Sequence, residues 1–353
     1  MTPGELAGTG RALRPRELAV AGALAAVVIG VALVVGPAGV PVGGVFDTLA
    51  SKIPFLGIHS TLSPIDSAVI WEIRAPRIVL GGIVGAMLAT AGASYQGVFR
   101  NPLADPYLLG VAAGAGLGAT LAIVRTASPS VLGINPVPLA AFAGALAAVA
   151  ATYTLGRSGR RAGSGSATRL ILAGVAVSSF LTAIQTFVQQ RQTPALQAVY
   201  SWILGGFTTA SWSQVWIITP YVVVAGSVLL VLRRQLDVLA VGDDEAHTLG
   251  VRADRVRLIA VIAATMGTAA AVSVSGLIGF VGIVVPHAIR LIVGPSYRRI
   301  LPLSVICGAG FLVACDLAAR TVLSPEEIPI GVVTAAVGAP FFLVVLRHLR
   351  RFE

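Results

Sequence analysis

Apolar runs long enough to cross a membrane recur along almost the whole chain, and they constrain the fold more than any other feature of the sequence. A membrane-spanning helix needs about 20 apolar residues, with a range of about 17–25. Ten apolar runs of helical length cover residues 18–36, 77–97, 107–125, 137–156, 170–188, 213–232, 256–275, 278–293, 300–319 and 328–346. Most of them reach this length, and the run at 278–293 is marginal. The strands of a membrane β-barrel would instead alternate in polarity over about 10 residues. The sequence therefore predicts an all-α integral membrane protein with about ten transmembrane helices.

The scarcity of charged residues agrees with a membrane protein. Only 11% of the 353 residues are charged and 56% are hydrophobic, whereas soluble domains carry about 25% charged residues. A soluble domain of this length does not build a core large enough to hide such a composition. We therefore expect residues 1–353 to form a single transmembrane domain. Cys307 and Cys315 fall in one apolar run and fit neither a disulfide framework nor a zinc site, so no metal site is predicted.

The net charge of +10 comes from basic residues in short loops, without the basic groove and interleaved aromatic residues of a nucleic-acid-binding protein. Alternate loops and the two termini together hold 19 of the 25 lysine and arginine residues. These are Arg11, Arg14, Arg16, Arg100, Arg157, Arg160, Arg161, Arg169, Arg233, Arg234, Arg252, Arg255, Arg257, Arg290, Arg298, Arg299, Arg347, Arg350 and Arg351. Because cytoplasmic loops of membrane proteins are enriched in basic residues, we expect both termini to be cytoplasmic.

The chain lacks the phosphate-binding sequence of an ATPase. A P-loop reads G-x-x-x-x-G-K-[ST], and the only lysine, Lys52, lies outside any such loop. If ATP drives this protein, a separate subunit hydrolyses it, so the chain is predicted to be neither an enzyme nor a cofactor-binding protein. An ion-coupled secondary transporter would need ionisable residues at the bilayer midplane, for which Asp316 is the main candidate. An intramembrane metalloenzyme is disfavoured because H-E-x-x-H is absent and the four histidines are scattered.

The longest polar stretch on the predicted cytoplasmic side covers residues 235–255, between the sixth and seventh apolar runs. It contains the pattern of a short helix. The residues of this predicted helix are Asp243, Asp244, Glu245, Ala246, Leu249 and Gly250. The three acidic residues complement the dipole at the helix start, the alanine and the leucine would share one face, and the glycine would end the helix. From the residues alone, a docking element for a partner protein and a solvated loop with one helical turn remain equally open.

Several motifs in a fixed order resemble the permease subunits of type II ABC importers, the iron-siderophore/haem/cobalamin (FecCD-type) family. The resemblance extends from about residue 18 to residue 350. The motifs are RAPRIVLGGIVGAMLATAGASYQGVFRNPLADPYLLGVAAGAG (74–116), WILGGF (202–207), LGV (249–251), SGLIGFVGIVVPHAIR (275–290) and IPIGVVTAAVGAPFF (328–342). No single motif would suffice, but five in sequence are specific.

The resemblance implies a transport complex around this chain. A homodimer, or a heterodimer with a close paralogue, would surround one translocation path in the cell inner membrane. Two cytoplasmic ATPases carrying ATP-Mg would dock on one side and an extracytoplasmic substrate-binding protein on the other, with lipids around the bundle. Residues 243–250 match the coupling helix of the family, which docks in a groove of the ATPase. Ferric siderophore is the favoured substrate because siderophore systems are the commonest members, and haem and cobalamin remain open.

The arginines of the opposite side have two interpretations. Arg74, Arg77 and Arg320 lie at the outer ends of their helices, where arginine side chains can anchor a helix by reaching the membrane interface. The resemblance implies instead that they accept carboxylates of the binding protein, since guanidinium–carboxylate pairs are directional. Asp316 lies four residues before Arg320, a spacing that permits an intrahelical ion pair.

One loop on the cytoplasmic side is predicted to be stiff. In RNPLADP (100–106), Asn101 and Asp105 each precede a proline, which favours extended backbone at those residues. The sequence therefore predicts a tight turn there, serving either as a hinge and secondary ATPase contact or simply to position the next helix.

Overall fold

The computed structural model describes residues 13–349 except 54, 56, 126–134 and 158–165, and the residues it describes form helices and no strands. The helices are α1 (Pro15–Val34), α2 (Val42–Ser51), α3 (Pro64–Ala68), α4 (Ala75–Phe99), α5 (Val111–Arg125), α6 (Val137–Arg157), α7 (Ser166–Arg191), α8 (Leu196–Leu204), α9 (Trp212–Val231), α10 (Arg233–Val241), α11 (Asp243–Thr248), α12 (Ala253–Ser275), α13 (Val281–Val293), α14 (Tyr297–Thr321) and α15 (Ile330–Leu349). A π-helical stretch, Val69–Arg74, joins α3 to α4 without a break.

The predicted all-α membrane fold is confirmed. Within the described residues, seven spans are long and apolar enough to cross a membrane, and three further apolar helices are shorter. The seven are α1, α3 with α4, α6, α7, α9, α12 and α14, and the three are α5, α13 and α15. Each of the ten coincides with one of the ten apolar runs. The run at 278–293 is shortened to α13 because Gly276 and Phe280 both have φ of 68°, a left-handed conformation that does not continue a helix.

The long helix α4 forms the centre of the bundle. Of the residues in its apolar segment, 78% are buried inside the protein, compared with 11% in the apolar segment of α7. Glycines allow this burial by letting helix backbones approach closely. A Cβ atom on Gly85 would overlap the backbone of Gly308 in α14, and one on Gly92 would overlap the backbone of Gly282 in α13. The neighbours of α4 therefore pack directly against its backbone.

The bundle has two chemically different ends. The basic end holds Arg100, which follows α4, Arg257 near the start of α12 and Arg299 near the start of α14. There Arg299 pairs with Glu17 of α1. At the opposite end lie Arg74, Arg77 and Arg320. Five of the 19 basic residues assigned to the cytoplasmic side lie outside the described residues: Arg11, Arg160, Arg161, Arg350 and Arg351.

The loop after α4 is the tight turn that the sequence predicts. Asn101 Oδ1 accepts a hydrogen bond from the Leu103 amide at 2.9 Å, and Asp105 Oδ1 accepts one from the Tyr107 amide at 2.7 Å. Asp105 is extended, with φ of −117° and ψ of 147°, as expected before a proline. The Tyr107 hydroxyl donates to the Ile278 carbonyl at 2.9 Å, so the turn is also fastened to the loop before α13.

Candidate functional site

The short helix α11 begins and ends as the sequence predicts. Its first turn consists of the three acidic residues that begin at Asp243. At its end, the Gly250 amide donates to the His247 carbonyl at 3.0 Å and the Val251 amide donates to the Ala246 carbonyl at 2.8 Å. Together with φ of 74° at Gly250, these two bonds form a Schellman motif, which satisfies carbonyls that the helix leaves unpaired.

The structure corrects one detail of the predicted helix. Ala246 and Leu249 do not share one face, because α11 ends at Thr248 and Leu249 already belongs to the cap. Ala246 is completely buried against the bundle, whereas Leu249 is 66% exposed. The acidic side chains of Asp244 and Glu245 are exposed as well. The outward surface of α11 therefore combines one apolar residue with two carboxylates.

Asp243 differs from its acidic neighbours because its carboxylate is turned toward the bundle. Its Oδ1 atom accepts hydrogen bonds from Arg100, at the end of α4, and from Arg257 in α12. Arg100 is oriented by a second bond, from its Nε to the Leu239 carbonyl in α10, at 2.7 Å. Three helices thus meet at this carboxylate, which we name the Asp243 junction (Asp243, Arg100 and Arg257).

The electrostatics of the junction favour the ionised carboxylate. Partial burial by itself would raise the pKa of Asp243, but the hydrogen bond and charge of Arg257 and the charge of Arg100 outweigh that cost and hold the pKa below its usual value. An opposite charge within a few ångströms lowers the pKa of an acid in this way. Asp243 therefore stays ionised at neutral pH.

A second acidic residue ties α10 to the start of α14. Asp237 accepts hydrogen bonds from the Ser296 hydroxyl at 3.0 Å and from the Tyr297 amide at 2.5 Å. A carboxylate that accepts from a first-turn amide satisfies one of the unpaired donors of a helix N-terminus. Asp237 therefore caps α14 from another helix.

At the opposite end, Arg74 caps the C-terminal end of α1. Its guanidinium donates to the carbonyls of Leu33 at 2.9 Å and Val34 at 2.8 Å, and also to that of Ala38. The last carbonyls of a helix have no partners within the helix and carry partial negative charge. A cation at this position compensates both effects, and it fixes the chain that follows α1.

Arg77 and Arg320 share the buried carboxylate of Asp316. Arg77 donates from Nε to both oxygens of Asp316, at 2.9 and 3.2 Å, and from its two terminal nitrogens to Glu327 at 2.8 and 2.9 Å. Nε of Arg320 lies 3.5 Å from Asp316 Oδ2, which confirms the predicted intrahelical pair. Arg320 also donates to the Ala32 carbonyl.

All three arginines are buried in this conformation, with exposed fractions of 3% for Arg74, 8% for Arg77 and 3% for Arg320. Their guanidiniums contact protein carbonyls and carboxylates inside the bundle. Sequence reasoning missed four of the groups around the two ends: Arg100, Asp237, Arg257 and Glu327. No local pattern identifies them, because each acts across a long sequence separation or from a loop.

The exposed side of α7 carries a stripe of polar residues on an otherwise apolar helix. It consists of Ser179, Thr182, Thr186 and Gln190, all exposed. Spacings of three and four residues place them on one helical face. The Thr186 hydroxyl donates to the Thr182 carbonyl within the helix, at 2.9 Å. Hydrocarbon offers no hydrogen bonds to the other polar groups of this face, which favours water or another protein surface beside it. Among the described residues, no group of three or more His, Cys, Asp or Glu side chains could hold a metal ion.

Comparison with known proteins identifies the family. The model of the FecCD transport family matches residues 24–348. The chain belongs to the FecCD transport family. It is 45% identical to the cobalamin import system permease protein BtuC of Halobacterium salinarum over 279 residues, which cover 79% of this chain and 73% of that protein. It is 38% identical to the iron(3+)-hydroxamate import system permease protein FhuB of Bacillus subtilis, over 80% of this chain and 72% of that one.

The fold agrees with this assignment. A solved inward-facing structure of a metal-chelate type ABC transporter superimposes with a TM-score of 0.81 at 29% identity, covering 95% of this chain and 100% of the other. The protein is thus an all-α, multi-pass ABC permease of the FecCD family, and the predicted type II importer fold is confirmed.

Proposed function

We propose that this FecCD permease is the membrane subunit of an ATP-driven importer for a large metal chelate. Its basic end faces the cytoplasm, with both termini on that side, and its opposite end faces outward. ATP-Mg is bound and hydrolysed by two separate ATPase subunits. The observation that carries the proposal is that one FecCD bundle has two separate features at its two ends. The exposed, capped helix α11 lies at the basic end, and the cluster of Arg74, Arg77 and Arg320 lies at the opposite end.

The ATPase-docking element is α11. Leu249 supplies an apolar contact, and Asp244 and Glu245 supply charges beside it, on a helix of six residues whose end is fixed by the cap at Gly250. Ala246 supports this surface from beneath, because it is buried in the bundle. A small rigid element of this kind suits insertion into a groove of a partner, since little conformational freedom is lost on binding.

The translocation path lies between two copies of the chain and is lined by the polar stripe of α7. One subunit leaves that stripe exposed, and a second copy related by twofold symmetry would enclose it, as closed symmetry favours. A close paralogue could take the place of the second copy. Asp316 is unsuited to ion-coupled transport because its oxygens are occupied by Arg77 and Arg320.

The binding protein docks at the opposite end, where its carboxylates engage Arg74, Arg77 and Arg320. Because these arginines have internal partners, docking requires an exchange of carboxylates. Glu327 is the partner best placed for exchange, since its side chain is 32% exposed while that of Asp316 is 2% exposed. The incoming carboxylate replaces Glu327 on Arg77 and leaves the buried pair with Asp316 intact.

The proposed substrate is a ferric siderophore, in line with the similarity to the iron(3+)-hydroxamate permease. Cobalamin is the second candidate, because the 45% identity to a cobalamin permease favours it specifically. The test is uptake of radiolabelled ferric hydroxamate, haem and cobalamin by cells that lack this chain, with and without its gene restored. We expect loss and recovery of ferric hydroxamate uptake. Loss of cobalamin or haem uptake alone would reassign the substrate, and no change in any of them would reject all three chelates.

A further inference from the structure

The hairpin α10–α11 is fastened to two long membrane helices at once. Through Asp243 it holds Arg100 at the inner end of α4. Through Asp237 it caps Tyr297 at the inner end of α14. The two carboxylates lie six residues apart on a single hairpin, and Arg100 further donates to the Leu239 carbonyl between them. Movement of this hairpin therefore acts on the inner ends of both helices.

The same two helices are joined again at their outer ends. Arg77 of α4 and Asp316 of α14 form a buried ion pair at 2.9 Å. Between the two ends, Gly85 and Gly308 bring the backbones of α4 and α14 into contact. Arg77 and Arg100 are separated by 23 residues of helix, about 35 Å at 1.5 Å per residue. The pair α4–α14 thus spans the bundle as a frame. It is closed by an ion pair at one end and, at the other, by the contacts of Asp243 with Arg100 and of Asp237 with the start of α14.

We propose that this closed frame transmits ATPase-driven displacement of α11 to the outer end, and that Asp243 is the positioning residue through which α11 moves α4. This inference rests on the proposed function, because it takes α11 as the ATPase-docking element. It also separates two roles within α11 and its cap: Glu245 and Leu249 face the ATPase, whereas Asp243 faces Arg100 and Arg257 within the chain.

Asp243 offers a sharp test because the chain supplies a matched control. Asp254 lies 3.8 Å from Arg257, but its side chain is 93% exposed, and it does not reach Arg100. Asp243→Asn removes the charge at the junction with almost no change in size, and Asp254→Asn makes the same chemical change beside it. Asp243→Glu keeps the carboxylate and serves as the conservative variant.

The experiment uses the full chain co-expressed with its ATPase and reconstituted in lipid. A reporter cysteine, Thr186→Cys, is introduced on α7 after Cys307 and Cys315 have been replaced by alanine. The probes are ATP with vanadate and a membrane-impermeant maleimide, so no substrate is required. Two quantities are measured: the amount of ATPase retained per permease, and the change in the maleimide labelling rate when ATP and vanadate are added.

We expect Asp243→Asn to retain the ATPase but to reduce the ATP-dependent change in labelling rate by about 3- to 30-fold, the range for residues that carry coupling between sites. Asp254→Asn should respond like the unmodified chain, and Asp243→Glu should recover most of the response. Arg100→Gln should show a similar defect, and the defect of the double variant should be smaller than the sum of the two single defects, since the bond between Arg100 and Asp243 is lost in both.

Three results would overturn this inference. If Asp243→Asn loses the ATPase while Asp254→Asn keeps it, Asp243 is a docking residue and only the proposed function survives. If Asp243→Asn keeps the full ATP response, the junction transmits nothing. If the unmodified chain retains no ATPase at all, the proposed function fails, and the transmission role fails with it.

Discussion

Arg77 and Asp316 lie 239 residues apart in the sequence, yet Nε of Arg77 donates to both carboxylate oxygens of Asp316, at 2.9 and 3.2 Å. The same carboxylate lies 3.5 Å from Nε of Arg320. One buried acid thus holds two buried arginines and joins α4 to α14 at the end of the bundle opposite the basic end. Both helices are fixed by this pair, which makes it a structural feature as well as part of the proposed docking site.

Replacing Asp316 by asparagine should destabilise the folded protein strongly. The substitution leaves Arg320 buried without a charged partner, and breaking a buried ion pair from one side costs about 3–5 kcal/mol. We expect a clear fall in the thermal unfolding temperature in detergent. Asp244→Asn, which alters an exposed carboxylate, should leave that temperature almost unchanged. Equal unfolding temperatures for the two variants would contradict the stabilising role of the pair.

Glycine contacts within the bundle should be far less tolerant of substitution than glycines facing open space. Gly92→Ala places a Cβ atom in the backbone of Gly282, where neither side can give way, and overpacking should cost about 3 kcal/mol. Gly226 lies in α9, where an added Cβ atom would meet no other atom within 4 Å, and Gly226→Ala should be neutral or stabilising by up to about 1 kcal/mol. Thermal unfolding and size-exclusion profiles in detergent measure both effects, and similar losses in both variants would contradict the packing explanation.

Replacement of Leu249 by arginine should impair ATPase docking without unfolding the bundle. An exposed apolar residue at the centre of a small docking surface contributes strongly to binding, and we expect about a 30-fold loss of affinity for the ATPase. Glu245→Arg reverses a charge on the same docking surface and should uncouple ATP hydrolysis from uptake. The control is Leu323→Arg, since Leu323 is 60% exposed at the opposite end. ATPase co-purification that is unaffected in Leu249→Arg would remove α11 from the docking surface.

Glu327→Gln should strengthen the binding of the substrate-binding protein, because it frees Arg77 for an incoming carboxylate. The ion pair between Arg77 and Glu327 is partly exposed and therefore weak, so its loss should raise the affinity by about 2- to 5-fold. Glu326→Gln, a change in the adjacent residue, should have no effect. Affinities can be measured on permease in lipid nanodiscs, and weaker binding by Glu327→Gln would argue against carboxylate exchange.

Cysteines on the polar stripe of α7 should be reached by water-soluble reagents. Thr182→Cys should react with a membrane-impermeant maleimide faster than Phe187→Cys, which lies on the adjoining apolar face of the same helix. Labelling rates are compared in the assembled transporter, after removal of Cys307 and Cys315. Equal rates at the two positions would show that the stripe does not line an aqueous path.

The sequence by itself determined the membrane-spanning helices and the limits of α11. Both depend on local features of the sequence. The spanning helices follow from apolar runs long enough to cross a bilayer. The limits of α11 follow from acidic residues in its first turn and from Gly250, which permits positive φ. The pair between Asp316 and Arg320 was predictable for the same reason, because four residues make one helical turn.

Only the tertiary structure decided what the charged residues contact. Asp243 and Glu245 look equivalent in the sequence, but packing of α11 turns Asp243 toward Arg100, 143 residues away, and leaves Glu245 exposed. In the same way, the burial of Arg77 depends on Asp316 and Glu327, which α14 and its following loop bring to it. The orientation of a helix about its axis is set by the bundle around it, and this information is absent from any local pattern.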